Sequence, residues 1–412
     1  MPQIQLGWGA PQTPAYEELA ERFRPVFKRI QEGAVSRELE RRLPVEEIQW
    51  LKQAGFTTLR IPVSHGGSGI QLTELFALLV ELGEADSNVV QALRGHMAFV
   101  ENVLYVPDSP WRERWLQRLG KGDTVGGARS EAGDVSRGEF STQIRRINGQ
   151  WLLNGTKFYT TGCLYADWLY VGATAEDGSI LAANVRRETP GVEVLDDWNG
   201  FGQTLTASGT TRFTDVVVEE EEVDPDKNRF RYSPSFLQTV HLANLAGIGR
   251  AISNETAAAV ASRTRTYSNG NASRSATDPQ ILQVIGQLRG AAYAAGAIAS
   301  RVAQAVQRAD EAHRSGDIQA EDSAVAIAEL ETAQSQSIIT ELITNAATQL
   351  FDALGASATL HPQGLDRFWR NARTLGSHNP RIYKDRIVGD FAVNGTPPPT
   401  QWRVGVTDPR QT

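Results

Sequence analysis

The segment Leu153-Asn154-Gly155-Thr156-Lys157-Phe158-Tyr159-Thr160-Thr161-Gly162, followed by Ala166-Asp167-Trp168, stands at the centre of a strand-patterned stretch in an otherwise helix-patterned chain. Within and around it, Asn148-Gly149, Asn154-Gly155 and Asp177-Gly178 read as hairpin-type turns, because these pairs tolerate the positive φ such turns require. Trp151-Leu152-Leu153, Trp168-Leu169-Tyr170-Val171, Ile180 to Val185 and Arg212 to Val218 are short runs rich in β-branched and aromatic residues. Together they predict an antiparallel sheet or barrel.

Outward from this centre the periodicity becomes helical. Leu19, Phe23, Phe27 and Ile30 share one helical face. Pro44 suits the first turn of a helix carrying Ile48 and Leu51, and Gly55 its C-terminal cap. Gly66-Gly67-Ser68-Gly69 reads as a loop, Leu72 to Leu82 as an apolar helix, and Ser109-Pro110 as an N-cap followed by a first-turn proline. On the C-terminal side, Leu237 to Arg263, Pro279 to Asp310 and Ala320 to Leu354 are long Ala-rich helices, with a loop at Ser268 to Ser275. The expected fold is α+β, in three parts. An N-terminal helical domain spans residues 1–123, a central antiparallel β domain 124–233, and a C-terminal four-helix bundle 234–412.

The bulk composition narrows the function. The 412 residues carry a formal net charge of −7 with no cationic run, which argues against nucleic acid as a partner. No apolar stretch is long enough for a membrane span, and the N-terminus lacks a signal-peptide pattern, so a cytoplasmic location is expected. One cysteine, Cys163, permits neither an internal disulfide nor a thiolate metal cluster, and the six histidines lack metal-site spacing, so no metal is expected.

The central segment resembles the flavin-carrying strand of the acyl-CoA dehydrogenases. Gly127-Ala128-Arg129-Ser130-Glu131 resembles the preceding flavin-contact strand. Gly200-Phe201-Gly202 and Ser208-Gly209-Thr210-Thr211-Arg212-Phe213-Thr214-Asp215-Val216 resemble the last strands of that β domain. Within this superfamily, the closer likeness is to the reduced-flavin monooxygenases of the dibenzothiophene and alkanesulfinate type. It is carried by Asp196-Asp197-Trp198, by Ala85-Asp86-Ser87 with His96, and by Leu365-Asp366-Arg367-Phe368-Trp369-Arg370-Asn371-Ala372-Arg373-Thr374 with His378-Asn379-Pro380. The resemblance implies the acyl-CoA dehydrogenase fold.

A dehydrogenase of this family needs a carboxylate base, which the resemblance places at or beside Asn379 or near Leu237. Neither Leu237 to Arg250 nor Gly376 to Ile382 contains Asp or Glu. The resemblance therefore points to an oxygenase acting through a peroxyflavin, with His378 and His96 as catalytic histidines able to exchange a proton near neutral pH. His96 alternatively packs between helices. For the cofactor, Thr161 and Ser130 are expected to contact the flavin, Tyr159 and Trp198 to wall it, and Arg265 to grip its phosphate across a subunit interface. That last contact implies a homotetramer. Asp352-Ala353-Leu354-Gly355, lacking the Gly-Gly of FAD enzymes, favours reduced FMN over FAD.

Arg129 and Asn379 are the expected substrate-binding residues, although Arg129 also reads as a solvated surface charge. Gly127 and Leu375 depart from the dibenzothiophene branch. With the Arg129 cation they point to a small organosulfur substrate, an alkanesulfinate or sulfone. No nicotinamide-binding glycine motif follows a strand, so a separate NAD(P)H:flavin reductase is implied as partner. The alternatives are an FAD-dependent acyl-CoA dehydrogenase with a displaced base, a flavin N-oxygenase acting on an amine, and a flavin-binding scaffold without catalysis.

Overall fold

The structure, a computed structural model, describes residues 7–9, 13–132, 140–225 and 229–401. Six helices come first: α1 (Tyr16–Glu32), α2 (Ala34–Glu40), α3 (Val45–Gln53), α4 (Leu72–Ala85), α5 (Ser87–Tyr105) and α6 (Pro110–Gly120). Phe23 and Phe27 of α1 close edge-on over Phe56, with ring centroids 5.3 and 5.8 Å away. Asp86 breaks α4 from α5 and caps the latter, accepting from the Asn88 N–H at 3.0 Å. Ser109 caps α6 in the same way.

The strands are β1 (Val125–Ala128), β2 (Gln143–Ile147), β3 (Gln150–Phe158), β4 (Trp168–Thr174), β5 (Ile180–Arg186), β6 (Val192–Val194), β7 (Thr210–Val218) and β8 (Val223–Pro225). They form one sheet in the order β6-β7-β3-β2-β4-β5-β8, with β1 pairing to β4. Most pairings are antiparallel, as expected, but β1 runs parallel to β4, which makes the sheet mixed. Leu153, Leu169, Val171, Phe213 and Val216 fill the core on one face. On the other, Trp115 of α6 packs between Phe99 of α5 and Trp168 of β4 at 4.6 and 5.2 Å.

One turn expectation fails. Asn154-Gly155 lies inside β3, at a bulge where the register to β7 shifts. Gly155 sits at φ +148°, and a Cβ there would come within 2.6 Å of Thr142 Cα. The Asn154 amide and Asp215 bridge the bulge reciprocally, at 2.9 and 3.0 Å. The glycine is needed for close approach, and the pair continues the strand instead of reversing it.

Helices α7 (Ser233–Ser262), α8 (Pro279–Ser315) and α9 (Ile318–Leu354) make the long bundle, with α10 (Asp366–Ser377) and α11 (Lys384–Asn394) laid against α9. Helices of the N-terminal part share one apolar core with this bundle. Phe76 of α4 meets Phe236 of α7 at 5.4 Å. Gly247 of α7 lets the two backbones touch, since a Cβ there would sit 2.6 Å from the Val80 carbonyl oxygen. The two helical segments therefore bury their apolar faces against each other, and α5 and α6 of the first pack on the sheet. Among the described residues, no helix is long and apolar enough to cross a membrane.

Candidate active site

Three helices meet where α10 ends. Arg94 projects from α5, Gln238 and His241 from α7, and His378 and Asn379 follow the last turn of α10. His378 Nδ1 lies 3.3 Å from Asn379 Oδ1, which can only accept, so Nδ1 carries the proton. Its Nε2 then presents a lone pair toward Arg94 Nη1 at 3.5 Å. Asn379 is held in turn: its amide donates to Gln238 Oε1 at 2.7 Å and its carbonyl accepts from Gln336 at 2.9 Å. His378 keeps an accessible side, yet desolvation and the Arg94 charge pull its pKa down to about 3. The imidazole is therefore neutral at pH 7. Burial, with the Arg229 charge, lowers the Arg94 pKa to about 9.

The His241 ring lies against that of His378 at a tilt of 54°, with centroids 4.4 Å apart. It is fully buried, and neither ring nitrogen has a hydrogen-bond partner among the described residues. Burial, the Arg94 charge and His378 hold its pKa well below the usual histidine value. Below about pH 6.5 the unfolded chain takes up a proton that this folded imidazole refuses, so its contribution to stability falls by up to about 1.4 kcal/mol per pH unit. His241→Leu is therefore expected to raise the melting temperature at pH 7, and by more at pH 5. A pH series of thermal melts checks this; a gain that shrinks on acidification would contradict it.

The β domain supplies a facing wall. Thr161 Oγ1 bonds Ser208 Oγ at 2.7 Å, Ser208 bonds Thr206 Oγ1 at 2.7 Å, and Thr206 donates to the Gln203 carbonyl at 2.8 Å. The Trp198 indole donates to the same carbonyl at 3.0 Å. Tyr159 adopts φ +65°, and its exposed ring meets Trp198 edge-on at 6.0 Å. The Thr161 N–H donates to no group among the described residues, which leaves a backbone donor open beside the hydroxyl chain.

Gln203 ties this wall to the helices. Its N–H donates to Asn371 of α10 at 2.5 Å and its side-chain amide to Ser87 of α5 at 3.0 Å. The Asp196-Asp197-Trp198 motif is a clamp. Asp196 pairs with Arg41 at 2.7 Å, and Asp197 accepts from both the N–H and the hydroxyl of Thr210 at 2.7 Å. In α10, Arg367 pairs with Glu255 and Arg370 with Glu38.

The structure thus gathers Thr161, Tyr159 and Trp198 on one wall and joins His378 to Asn379 at α10. It does not bring the other expected residues there. His96 is buried, its Nε2 donating to the Thr57 carbonyl at 2.8 Å and its Nδ1 accepting from the Val125 N–H at 3.3 Å. Both nitrogens are used, one fastening α5 to the turn at Thr57 and the other to β1, so its geometry is that of a packing histidine. Arg129 lies over the rings of Tyr170 and Phe140, 5.1 and 5.7 Å from their centroids, and not beside His378. Ser130 is exposed and gives its carbonyl to the Phe158 N–H. Arg265 is exposed on the loop after α7. Sequence reasoning missed Arg94, His241 and Gln203, since nothing in their neighbours marks them.

Comparison with known proteins gives the following. The acyl-CoA dehydrogenase N-terminal domain profile matches residues 13–123 and the C-terminal domain profile residues 239–380. A probable FMNH2-dependent monooxygenase of Pseudomonas putida is 26% identical over 379 residues, covering 89% of this chain and 92% of that protein. The FMN-bound form of TdsC from Paenibacillus sp. A11-2, a dibenzothiophene monooxygenase, superposes with a TM-score of 0.83 at 24% identity, over 93% of this chain and 99% of that one. Methanesulfinate monooxygenase of Pseudomonas fluorescens superposes with a TM-score of 0.81 at 24% identity, over 93% and 98%.

Proposed function

The chain belongs to the acyl-CoA dehydrogenase family, and on that footing we propose that it is an FMNH2-dependent monooxygenase that oxygenates a small organosulfur compound of the alkanesulfinate or sulfone class. One observation carries the reading. The groups gathered at the end of α10 are two imidazoles, a guanidinium and amides, and no carboxylate is hydrogen-bonded to His378, His241 or Arg94 among the described residues. A dehydrogenase would need a carboxylate there to take a proton from carbon. The FMNH2-dependent relative and the FMN-bound TdsC support the cofactor.

The residues present suit FMN. Thr161, with its open N–H, would bond the ring system; Tyr159 and Trp198 would wall it; Arg265, exposed after α7, would reach the phosphate from a neighbouring subunit. Exposed Tyr293, Ile327 and Ile338 on α8 and α9 support a face for further copies, in keeping with a homotetramer. Reduced FMN, when bound, supplies the activation of O2 and one oxygen atom for transfer. For a sulfinate the balance is RSO2− + O2 + FMNH2 → RSO3− + FMN + H2O. The chain's own groups do the rest. Asn379, Gln238 and Gln336 fix the His378 ring, and its Nε2 is placed to hold or pass a proton. A separate NAD(P)H:flavin reductase provides FMNH2.

The test is a substrate panel under reductase-supplied FMNH2: methanesulfinate, dimethyl sulfone, dibenzothiophene, a primary amine, and an acyl-CoA with a dye acceptor. Turnover of the small sulfur compounds is expected. Turnover of only the amine, or only the acyl-CoA, would overturn the reading.

A further inference from the structure

The fully buried arginines among the described residues are neutralised by carboxylates, whereas Arg94 is half-buried. Arg37 bonds Glu47 and Asp86 at 3.0 and 2.9 Å, Arg60 bonds Glu101 at 2.7 Å, and Arg367 bonds Glu255 at 2.6 Å. Arg94 is different. Its Nε donates to the Leu237 carbonyl at 3.2 Å and its Nη1 points at His378 Nε2 at 3.5 Å. No carboxylate lies within ion-pairing distance of it among the described residues, and the charge acting on it is that of another cation, Arg229. A partly desolvated cation without a counter-ion is destabilised, and an anionic ligand relieves that.

The neighbours favour an anion of a particular kind. His378 and His241 are neutral imidazoles, so they add no competing charge, and the Arg94 guanidinium, with Arg229 nearby, makes this corner attractive to an anion. A planar guanidinium fork suits the paired oxygens of an oxyanion.

We propose that Arg94 is the anion anchor of the substrate pocket, so that the physiological substrate is a small oxyanion of the alkanesulfinate type and not a neutral sulfone or sulfide. The inference rests on the oxygenase reading for the use made of the anion, but the anion site itself does not. It also moves the expected cation from Arg129, just after β1, to Arg94 on α5. Desolvation first, and the Arg94 charge second, hold the His378 pKa down, and a bound anion offsets the second of these.

The experiment is calorimetric binding to the FMN-loaded, full-length protein, using two molecules of similar shape: methanesulfonate, which is charged, and dimethyl sulfone, which is not. Wild type should bind methanesulfonate at least about tenfold more tightly, and Arg94→Gln should weaken methanesulfonate roughly 10- to 100-fold without changing the weak sulfone binding. Arg94→Lys, which keeps the charge, should recover much of the affinity. Equal binding of the two molecules by wild type would overturn the proposal even if no Arg94 variant folds. A loss of FMN affinity in Arg94→Gln with methanesulfonate binding intact would also overturn it, by giving the anion's identity as the flavin phosphate. If methanesulfonate binds through Arg94 but no sulfur compound is oxygenated, the anion site stands and the oxygenase reading falls. If methanesulfinate is oxygenated equally well by wild type and Arg94→Gln, with the same KM, the reverse holds.

Discussion

His378→Ala is expected to lower kcat by about 10²- to 10⁴-fold while FMN still binds and the protein still melts near the wild-type temperature. The residue follows α10, with an accessible side, so little apolar packing is lost. What is lost is the one neutral imidazole whose Nε2 faces the open side of the cluster, with its orientation fixed by Asn379. The check is steady-state turnover of methanesulfinate together with FMNH2 oxidation. Uncoupling is the expected signature, with FMNH2 still oxidised and little product formed. A kcat within about threefold of wild type would remove His378 from the mechanism and direct attention to His241.

Asp86→Ala is expected to cost about 3–5 kcal/mol of stability, on the order of 10 °C in melting temperature. This carboxylate caps α5, accepts from the Asn88 amide at 3.1 Å, and neutralises the fully buried Arg37. Its removal leaves Arg37 with Glu47 alone and frays the first turn of the helix that carries Arg94. Asn88 also accepts from the Leu205 N–H at 3.2 Å, so the loop bearing Gln203 loosens with it. Asp86→Asn keeps an acceptor for the cap and loses the charge, and should fall between the two. A melting temperature for Asp86→Ala within about 2 °C of wild type would contradict this account of how α5 is held.

The order of helices, sheet and helices was legible because periodicity is local: Phe23 and Phe27 on one face of α1, or Trp168 to Val171 in β4, need no distant partner to be read. The clustering of Thr161, Tyr159 and Trp198 was legible because they sit in runs with a family likeness. What failed is what depends on tertiary contact. Asn154-Gly155 carries turn chemistry, yet the backbone passes close to Thr142, and the glycine makes a bulge. His96 and Arg129 were noticed for their residue type, but their roles depend on the Thr57 carbonyl and the Tyr170 ring, each far away in sequence. Arg94, in Leu93-Arg94-Gly95, looks like any helix-surface arginine. Its importance appears only once α7 and α10 close over it and no carboxylate comes with them. Gln203 shows itself only through the bonds it makes to α5 and α10.

The most direct test of the central claim is a single turnover under ¹⁸O2, with the protein, stoichiometric FMNH2 and methanesulfinate. The account predicts methanesulfonate carrying one ¹⁸O atom, with the other label leaving in water. Unlabelled methanesulfonate, or complete oxidation of FMNH2 to hydrogen peroxide with methanesulfinate unchanged, would contradict it.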